Sequence, residues 1–563
     1  MPEASPLSGR SCERLVQQLG GRAGTAAAVS WAHAVAVARH AATHGLLDTR
    51  LPEGADETLR LLDQLAGAHP ALAGFGDPQV VTARTSQLTA QQWGQANAFW
   101  AQTAVTEDRA RMDGYVLGDA YQALSAEARA SRALCQTPPW VARLLLDLAL
   151  EPAIEEVGPG QVRMIDPSCG TGHILVAAFH HVRAFAPRGR AGGWPAPAHL
   201  AVERALRAVS GVDLDPYAAL LTRYRLLAGA AVALRCRLDQ VPRDWAVQVA
   251  SADALLDEQE PLLLRGQYDA VVGNPPYIAV RDSATRDRIR RRYAQVCSGK
   301  YSLALPFFAL MTDLARPGGH IAQLTANSFM KREFGKKFVE QYLPALDLTW
   351  VIDSSGAYIP GHGTPTVILV HRNQPPTGRT VTTIQGVRGE PRLPADPARG
   401  LVWRAIEDAV HERLALNRLA RHCKMNIKDV KYFSKGRDPA PPRKERTCGV
   451  RSRRTRRGEE RSGGPGQHLV GLGGRVRRRR RADSRPPPGP RRAAGRGRRI
   501  RPGPPGLTWT TASTTRSGYE SPSPTRLTSP AWAPASISTA PWPPRVSASF
   551  GPAPTRLWPT TSR

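Results

Sequence analysis

The spacing of apolar side chains predicts a helical region at the start of the chain. Through the first 130 residues, apolar positions recur at helical intervals, as at Leu59, Leu62 and Leu65, which is typical of an amphipathic helix. Trp93 and Trp100 follow the same spacing. We expect these tryptophans to pack in a core rather than to bind a ligand.

Between residues 131 and 375, short apolar segments alternate with helical stretches. Strands that alternate with helices predict a mainly parallel α/β sheet with helices on both faces. The last two segments are joined by a loop containing Gly and Pro, so they could form an antiparallel pair at one edge of the sheet. The predicted strands lie at 162–165, 211–214, 246–250, 268–272, 320–324, 348–352 and 367–370.

The end of the chain has a different composition. Residues 376–440 are weakly patterned, and residues 441–563 are rich in Arg, Pro, Gly, Ser and Thr but contain one lysine, Lys444. Such a composition predicts a disordered tail without a packed core. GC-rich DNA translated in the wrong frame yields this mixture, so we favour a frameshifted tail over a functional basic arm. An amphipathic continuation in another reading frame downstream of about codon 410 would support this hypothesis.

Net charge gives only weak support for a polyanionic partner once it is divided along the chain. The 563 residues include 77 Lys and Arg against 47 Asp and Glu, a net charge of +30, and a strongly basic chain favours partners such as nucleic acid. Residues 441–563 hold 27 basic and five acidic residues, or +22, which leaves +8 for the first 440 residues.

Several absences narrow the class of protein. No run of 18 apolar residues and no secretory signal are present, so we expect neither a membrane span nor export. The seven cysteines lie far apart, and no matching ligands accompany His173, His180, His181 and His362, so we expect no metal site. These features predict a cytoplasmic protein with reduced thiols.

A glycine-containing loop follows the first predicted strand at residues 166–172, with the sequence Asp-Pro-Ser-Cys-Gly-Thr-Gly. Gly170 and Gly172 allow the backbone to turn tightly and to approach a ligand closely at the start of a helix. This arrangement is typical of a nucleoside-binding strand, loop and helix. The third glycine of the dinucleotide fingerprint is absent.

Acidic residues follow the next two predicted strands. Asp213 could accept hydrogen bonds from both ribose hydroxyls of a nucleoside, whereas Asp215, which precedes Pro216, fits a helix N-cap. Asp253 could accept from an adenine amino group, and a surface cap is its alternative role.

The sequence Asn274-Pro275-Pro276-Tyr277 follows the fourth predicted strand and indicates a specific chemistry. Two prolines fix the backbone and remove two amide donors, which leaves carbonyl groups free to accept. The Asn274 carboxamide oxygen and the Pro275 carbonyl can both accept from one exocyclic amino group and direct its lone pair at an electrophilic methyl group. Tyr277 can stack on a base swung out of its duplex. A simple proline turn is disfavoured because three other motifs precede it in order.

Together these motifs resemble the gamma group of amino-methylating DNA methyltransferases over residues 133–372. Segments at 298–301, 325–333 and 353–366 are similar to the Eco57I-like group, and most closely to the PglX-like enzymes of phage-resistance (BREX) systems. The resemblance implies a Rossmann-like S-adenosylmethionine-dependent methyltransferase fold with a mostly parallel seven-stranded sheet. It divides the chain into a helical N-terminal region at 1–130, a catalytic domain at 131–375, the start of a target-recognition region at 376–440 and the tail at 441–563.

The resemblance also implies a reaction and a set of site residues. The reaction is methyl transfer from S-adenosylmethionine to N6 of an adenine flipped out of double-stranded DNA. Catalysis falls to Asn274, Pro275, Pro276 and Tyr277, with Tyr358 packing the adenine. Thr137 and Pro138 line the methionine end of the cofactor. The other expected cofactor-binding residues are Asp166, Pro167, Gly170, Gly172, Asp213 and Asp253.

The arginine-rich segment after residue 280 has two interpretations. Arg290 and Arg291 could contact phosphates of the target strand, or the segment could be a solvated helix face paired with Asp282 and Asp287. The two are equally weighted.

The sequence departs from the family pattern at two places. Ser302 stands where the family often has Asp, and the long target-recognition region is absent or scrambled after about residue 410. The remaining alternatives are a methylase of cytosine N4, of RNA adenine or of a protein glutamine, and an inactive relic that binds cofactor or DNA. Restriction or phage-defence proteins are the expected partners.

Overall fold

The computed structural model describes residues 9–20, 24–102, 114–125, 136–185, 197–360, 363–378, 380–385, 389–390, 392–416 and 424–426. The predicted disordered, frameshifted tail at 441–563 lies outside these ranges. Within them, every helix is too short or too polar to span a membrane.

The predicted helical N-terminal region is confirmed. Its tryptophans pack in a core, as expected: Trp100 donates from its indole nitrogen to the Ala32 carbonyl at 2.7 Å, and Trp93 donates to the Thr58 hydroxyl at 3.0 Å. Helix α2 is buried along most of its length because Ala and Val dominate it. The helices are α1 (Gly9–Gly20), α2 (Gly24–Thr43), α3 (Ala55–Ala68), α4 (Ala90–Gln102) and α5 (Tyr115–Leu124).

The mainly parallel sheet is also confirmed, and each predicted strand is present with shifted ends. The strand order is β3-β2-β1-β4-β5-β7-β6-β8-β9. The five strands β3, β2, β1, β4 and β5 run parallel to one another, and β7 is antiparallel to both of its neighbours. The strands are β1 (Met164–Asp166), β2 (Val209–Asp213), β3 (Gln248–Ser251), β4 (Tyr268–Gly273), β5 (Ala315–Ala326), β6 (Asp347–Asp353), β7 (Thr366–Arg372), β8 (Thr380–Gln385) and β9 (Lys424–Asn426).

The antiparallel pair of β6 and β7 does not lie at the edge of the sheet, so that expectation was wrong. Strand β7 inserts between β5 and β6, and β6 then pairs in parallel with β8. Strands β8 and β9 were not predicted because residues 376–440 show little periodicity; β8 has only Val381 and Ile384 as apolar positions.

Helices cover both faces of the sheet. On one face, α6, α7, α8 and α12 share a core with the strands, and Trp403 of α12 packs edge-on against Trp140 of α6 with ring centroids 4.3 Å apart. On the other face, α10 and α11 form a second core. These helices are α6 (Pro139–Val157), α7 (His173–Ala184), α8 (Ala198–Ala208), α9 (Pro216–Leu234), α10 (Ser283–Arg292), α11 (Ala304–Leu314) and α12 (Leu401–Leu416).

Helix α9 joins the N-terminal region to the sheet. Leu221 and Tyr224 pack in the core of the N-terminal helices, whereas Leu226 and Ala230 pack in the core against the sheet. A helix that is apolar around its circumference can be buried on both sides, and α9 therefore belongs to both cores.

Strands β1 and β4 lie side by side at the point where the strand order reverses. In a doubly wound sheet, ligands bind outside the carboxyl ends of the strands at this switch point. Strands β1, β2 and β4 end at Asp166, Asp213 and Gly273. The predicted motifs therefore converge at the carboxyl ends of the parallel strands.

Candidate active site

A cavity of about 650 Å³ lies at this edge of the sheet, within the usual size range of a small-molecule site, roughly 300–1,000 Å³. It brings together residues of the Thr137 segment, the glycine loop, the Asp213 and Asp253 loops and the Asn-Pro-Pro-Tyr segment. Of the predicted site residues, those that line it are Thr137, Asp166, Pro167, Gly170, Asp213, Asp253, Asn274 and Pro276. Those outside its lining are Pro138, Gly172, Pro275, Tyr277, Tyr358, Arg290 and Arg291.

The glycine loop adopts a conformation that other residues would not readily adopt. Gly170 and Gly172 have φ angles of 54° and 88°, in the left-handed region that favours glycine. Gly172 is the N-cap of α7, and an added Cβ there would lie 2.8 Å from the Thr222 side chain. The Thr222 hydroxyl in turn donates to the Gly170 carbonyl at 2.9 Å. Gly172 thus shapes the loop, and Gly170 faces the cavity.

Asp213 connects the first two loops. One carboxylate oxygen accepts from the Gly170 amide at 2.8 Å, and the other accepts from the Asp215 amide at 2.9 Å. Since a carboxylate can accept about four hydrogen bonds, these contacts are compatible with the predicted ribose role. Asp215 caps α9 as predicted, because its side chain accepts from the Tyr217 and Ala218 amides.

Asp166 is a buried carboxyl group on the cavity wall. It accepts from the Ser168 amide at 3.0 Å. Burial raises the pKa of Asp166 to about 7, with the nearby Asp213 carboxylate as a further cause. A positively charged ligand in the cavity would favour the ionised form.

Asp253 follows β3, and its predicted contact with an adenine amino group stays a prediction. Its carboxylate accepts from the Leu255 amide at 3.0 Å, which closes a local turn, and the residue also lines the cavity. The turn places Ala254 and Leu255 on the same wall.

The Asn-Pro-Pro-Tyr segment begins directly after β4. The Asn274 amide nitrogen donates to the Thr137 hydroxyl at 3.1 Å, and the Tyr277 hydroxyl donates to the Asn274 carboxamide oxygen. Ser302 donates from its hydroxyl to the Tyr277 carbonyl at 2.9 Å. The residue that departs from the family pattern therefore holds the backbone of this segment.

Several residues of the cavity were not predicted from the sequence. Gly273 brings the end of β4 close to the glycine loop, since an added Cβ there would lie 3.1 Å from a carboxylate oxygen of Asp166; a glycine directly before Asn274 was the available signal. The lining also contains apolar residues, and one of them, Leu214, is 61% exposed. The other apolar residues of the lining include Ala254, Leu255, Ile278, Val280, Ile289, Leu303 and Phe307.

Arg290 and Arg291, the two predicted phosphate contacts, have different surroundings. Arg290 pairs with Asp287 at 2.5 Å, donates to the Gly299 carbonyl at 3.1 Å and lies over the Tyr301 ring. These contacts fit the structural interpretation of Arg290. Arg291 is exposed on α10.

Tyr358 lies on the loop that follows β6. It is 40% exposed and is absent from the lining of the cavity. The structure therefore does not bring it together with Asn274. Among the described residues, no group of three or more His, Cys, Asp or Glu side chains is arranged to hold a metal ion.

Fold and site together are those of a Rossmann-like protein. A doubly wound sheet carries a cavity of about 650 Å³ beside the Asn-Pro-Pro-Tyr segment, at the position where ligands bind in this fold.

Sequence comparison shows which proteins the chain resembles. Residues 207–358 match the family model of the Eco57I restriction-modification methylase. The chain is 40% identical over 368 residues to the adenine-specific methyltransferase PglX of Streptomyces coelicolor, covering 57% of this chain and 29% of PglX. The predicted resemblance to Eco57I-like and PglX-like methyltransferases is thus confirmed.

Two further relatives are more distant. The chain is 26% identical over 224 residues to the type II methyltransferase M.BstVI of Geobacillus stearothermophilus, covering 38% of this chain and 37% of that protein. It is 26% identical over 259 residues to M.PaeR7I of Pseudomonas aeruginosa, covering 42% of each. The chain therefore spans less than half the length of these relatives.

Comparison with solved structures gives matches at low sequence identity. The methyltransferase subunit of a type I restriction-modification system from Streptococcus thermophilus is 15% identical, with a TM-score of 0.43 over 67% of this chain and 74% of that chain. The type IIL restriction-modification enzyme MmeI, solved in complex with DNA, is 14% identical, with a TM-score of 0.47 over 68% of this chain and 60% of that chain.

Proposed function

We propose that this chain transfers a methyl group from S-adenosylmethionine to N6 of an adenine in DNA. The observation that carries the proposal is the position of the Asn274 carboxamide, which lines a nucleoside-sized cavity together with Asp166, Asp213 and Asp253. The similarity to an adenine-specific methyltransferase supports the choice of adenine.

The cavity fits the cofactor by its chemistry. Its acidic side can accept hydrogen bonds from ribose hydroxyls and amino groups, and its apolar side, which includes Leu255 and Phe307, can pack against a purine ring. Asp213 is the proposed ribose ligand and Asp166 the proposed partner of a positive charge. When bound, S-adenosylmethionine supplies an electrophilic methyl group on a sulfonium ion.

The residues of the chain orient the target amine. An adenine amino group is a poor nucleophile because its lone pair is delocalised into the ring. The Asn274 carboxamide oxygen and the Pro275 carbonyl each accept one of its two hydrogens, which favours a tetrahedral nitrogen with its lone pair facing the methyl group. Orientation and exclusion of water supply most of the proposed rate enhancement, and solvent takes up the surplus proton.

Tyr277 contacts Asn274 in the structure. Its hydroxyl donates to the same Asn274 oxygen that the amino group would use. The oxygen has two lone pairs and can accept from both groups; a Tyr277 ring that turned away from Asn274 would be free to stack on the base.

The proposed DNA-facing surface, which we call the basic face, consists of Arg281, Arg288 and Arg291. All three side chains are exposed; Arg281 precedes α10 and lines the cavity, and Arg288 and Arg291 lie on α10. Arginine at such positions can neutralise backbone phosphates without reading the sequence. Site-specific recognition, and partner proteins of a restriction or phage-defence system, remain part of the proposal.

The test is base-resolved methylation of DNA from cells that express the wild-type gene or Asn274→Ala. We expect N6-methyladenine with the wild-type protein and none with the variant. The purified variant should still bind S-adenosylhomocysteine, because Asn274 contributes one wall of a cavity that many residues line. Equal loss of methylation and of cofactor binding would mean that the segment is merely structural.

A second pair of variants tests the orientation of the amide. Thr137→Val removes the acceptor of the Asn274 amide nitrogen and should lower kcat about tenfold, whereas Thr137→Ser keeps the hydroxyl and should keep kcat. Labelled methyl incorporation, measured in parallel on DNA, RNA and protein, distinguishes the proposed substrate from cytosine, RNA and glutamine alternatives. An unchanged kcat for Thr137→Val would contradict the orienting role.

A further inference from the structure

Helix α5 of the N-terminal region contacts three separate segments of the cofactor cavity. The segments are residues 136–137, the glycine loop with the start of α7, and the Asp213–Asp215 loop. Helix α5 itself does not line the cavity. Neither the motifs nor the comparisons assign these contacts a role.

The first contact is a chain of hydrogen bonds that begins at Tyr121. The buried Tyr121 hydroxyl donates to a carboxylate oxygen of Asp215 at 2.7 Å. The Asp215 amide donates to Asp213 at 2.9 Å, and the other Asp213 oxygen accepts from the Gly170 amide at 2.8 Å. Tyr121 is therefore linked through Asp215 to the proposed ribose ligand and to the glycine loop.

The second contact is a close approach between α5 and the glycine loop. An added Cβ on Gly118 would lie 2.3 Å from the His173 ring and 2.5 Å from the Thr171 hydroxyl. Asp119 is 3.3 Å from His173, and the Tyr115 ring packs edge-on against the same imidazole with centroids 4.3 Å apart. His173 also lines the cavity, so α5 packs directly behind the cavity wall.

The third contact reaches the residue that holds Asn274. Gln136 donates from its backbone amide to the Gln122 side-chain oxygen at 2.6 Å, and from its side-chain nitrogen to the Gly118 carbonyl at 3.3 Å. Thr137 is the next residue, and its hydroxyl accepts from Asn274.

We propose that α5 holds the cofactor loops in their binding conformation and that Tyr121 is a positioning residue for the cofactor. The inference deepens the proposed function and rests on it, because the ligand positioned is S-adenosylmethionine. It assigns the N-terminal helical region a part in cofactor affinity in addition to any part in DNA binding.

The first test compares two tyrosines at the same interface. Tyr121→Phe removes the hydroxyl that reaches Asp215, and Tyr224→Phe removes a buried hydroxyl 2.7 Å from His40 at a residue outside the cavity lining. Binding of S-adenosylhomocysteine to the full chain is measured by calorimetry, with the Tm of each variant as a measure of structural damage. We expect Tyr121→Phe to weaken binding about tenfold and Tyr224→Phe to bind as the wild type.

The second test uses a matched pair of glycines. Gly118→Ala forces His173 or Thr171 to move, whereas Gly94→Ala adds a methyl group on α4 with nothing within 4 Å. Both changes raise helix propensity equally. We expect Gly118→Ala to raise the KM for S-adenosylmethionine about tenfold or more with a smaller change in the KM for DNA, and Gly94→Ala to change neither.

The outcomes separate the two proposals. If the wild-type chain binds no S-adenosylhomocysteine, the proposed function fails, and the role of α5 fails with it. If the wild type binds and Tyr121→Phe binds equally well, or if Tyr224→Phe weakens binding as much as Tyr121→Phe, the positioning role alone is overturned. Selective weakening by Tyr121→Phe and Gly118→Ala supports it.

Discussion

Thr137 shows how a single hydrogen bond can decide which end of a side chain performs the chemistry. A carboxamide has one donor end and one acceptor end, and a Thr hydroxyl can accept from the donor end. With the Asn274 nitrogen on Thr137, the oxygen remains on the side where the target amine is proposed to bind. The sequence places these residues 137 positions apart, so the contact could not be predicted from spacing. The resemblance gave Thr137 only a cofactor role.

Asp166 gives a prediction of pH dependence. Its folded-state pKa of about 7 lies above the ordinary value of 3.8, so its contribution to stability is present at low pH and is lost as the pH rises through about 7. The side chain of Asp166→Asn does not ionise, so the variant does not lose this stability, which is a few kcal/mol at most. We expect the Tm of the variant, relative to the wild type, to increase between pH 4 and 7 and then to stay constant.

The same variant should bind the positively charged cofactor less tightly at pH 8, because it lacks the carboxylate. Thermal unfolding without ligand, followed across this pH range, and calorimetric binding at pH 8 check the two expectations. A Tm difference that is independent of pH would show that the carboxyl group titrates normally.

At the scale of elements, the sequence predicts strands whose apolar residues are contiguous. It does not predict strands that become part of the sheet only through pairing with a neighbouring strand. Strand β4 is predicted because its residues are buried throughout, and the catalytic segment follows it. Strand β8 alternates Thr with single apolar residues, and only its pairing with β6 makes it part of the sheet. The place of β7 between β5 and β6 is likewise a property of the whole sheet, so hairpin-like proximity suggested an edge that does not exist.

Helix α10 gives a prediction about DNA affinity. The exposed side chains of Arg288 and Arg291 should each neutralise about one phosphate, so the double change to Ala should reduce the slope of log K against log salt by about two. Arg290→Ala is the matched control, because that guanidinium is engaged by Asp287 and Gly299; it should lower the Tm and leave the slope nearly unchanged. Fluorescence anisotropy with a duplex at several salt concentrations provides the measurement. Equal slopes for the double variant and the wild type would remove the basic face from the interface.

At the scale of the whole molecule, the packing of α9 against both cores predicts that cofactor binding also stabilises the N-terminal region. Because α9 belongs to both cores and α5 holds the cofactor loops, we expect residues 24–43 of α2 to open only when the sheet opens. S-adenosylhomocysteine at 100 times its Kd should then slow hydrogen exchange of the buried α2 amides about 100-fold, the same factor by which it suppresses global unfolding, about 2.7 kcal/mol. Exchange measured by mass spectrometry with and without ligand tests this, with β4 as the internal reference. If protection rises in β4 and is unchanged in α2, the N-terminal helices open independently, and α5 can hold the cofactor loops only through its local contacts.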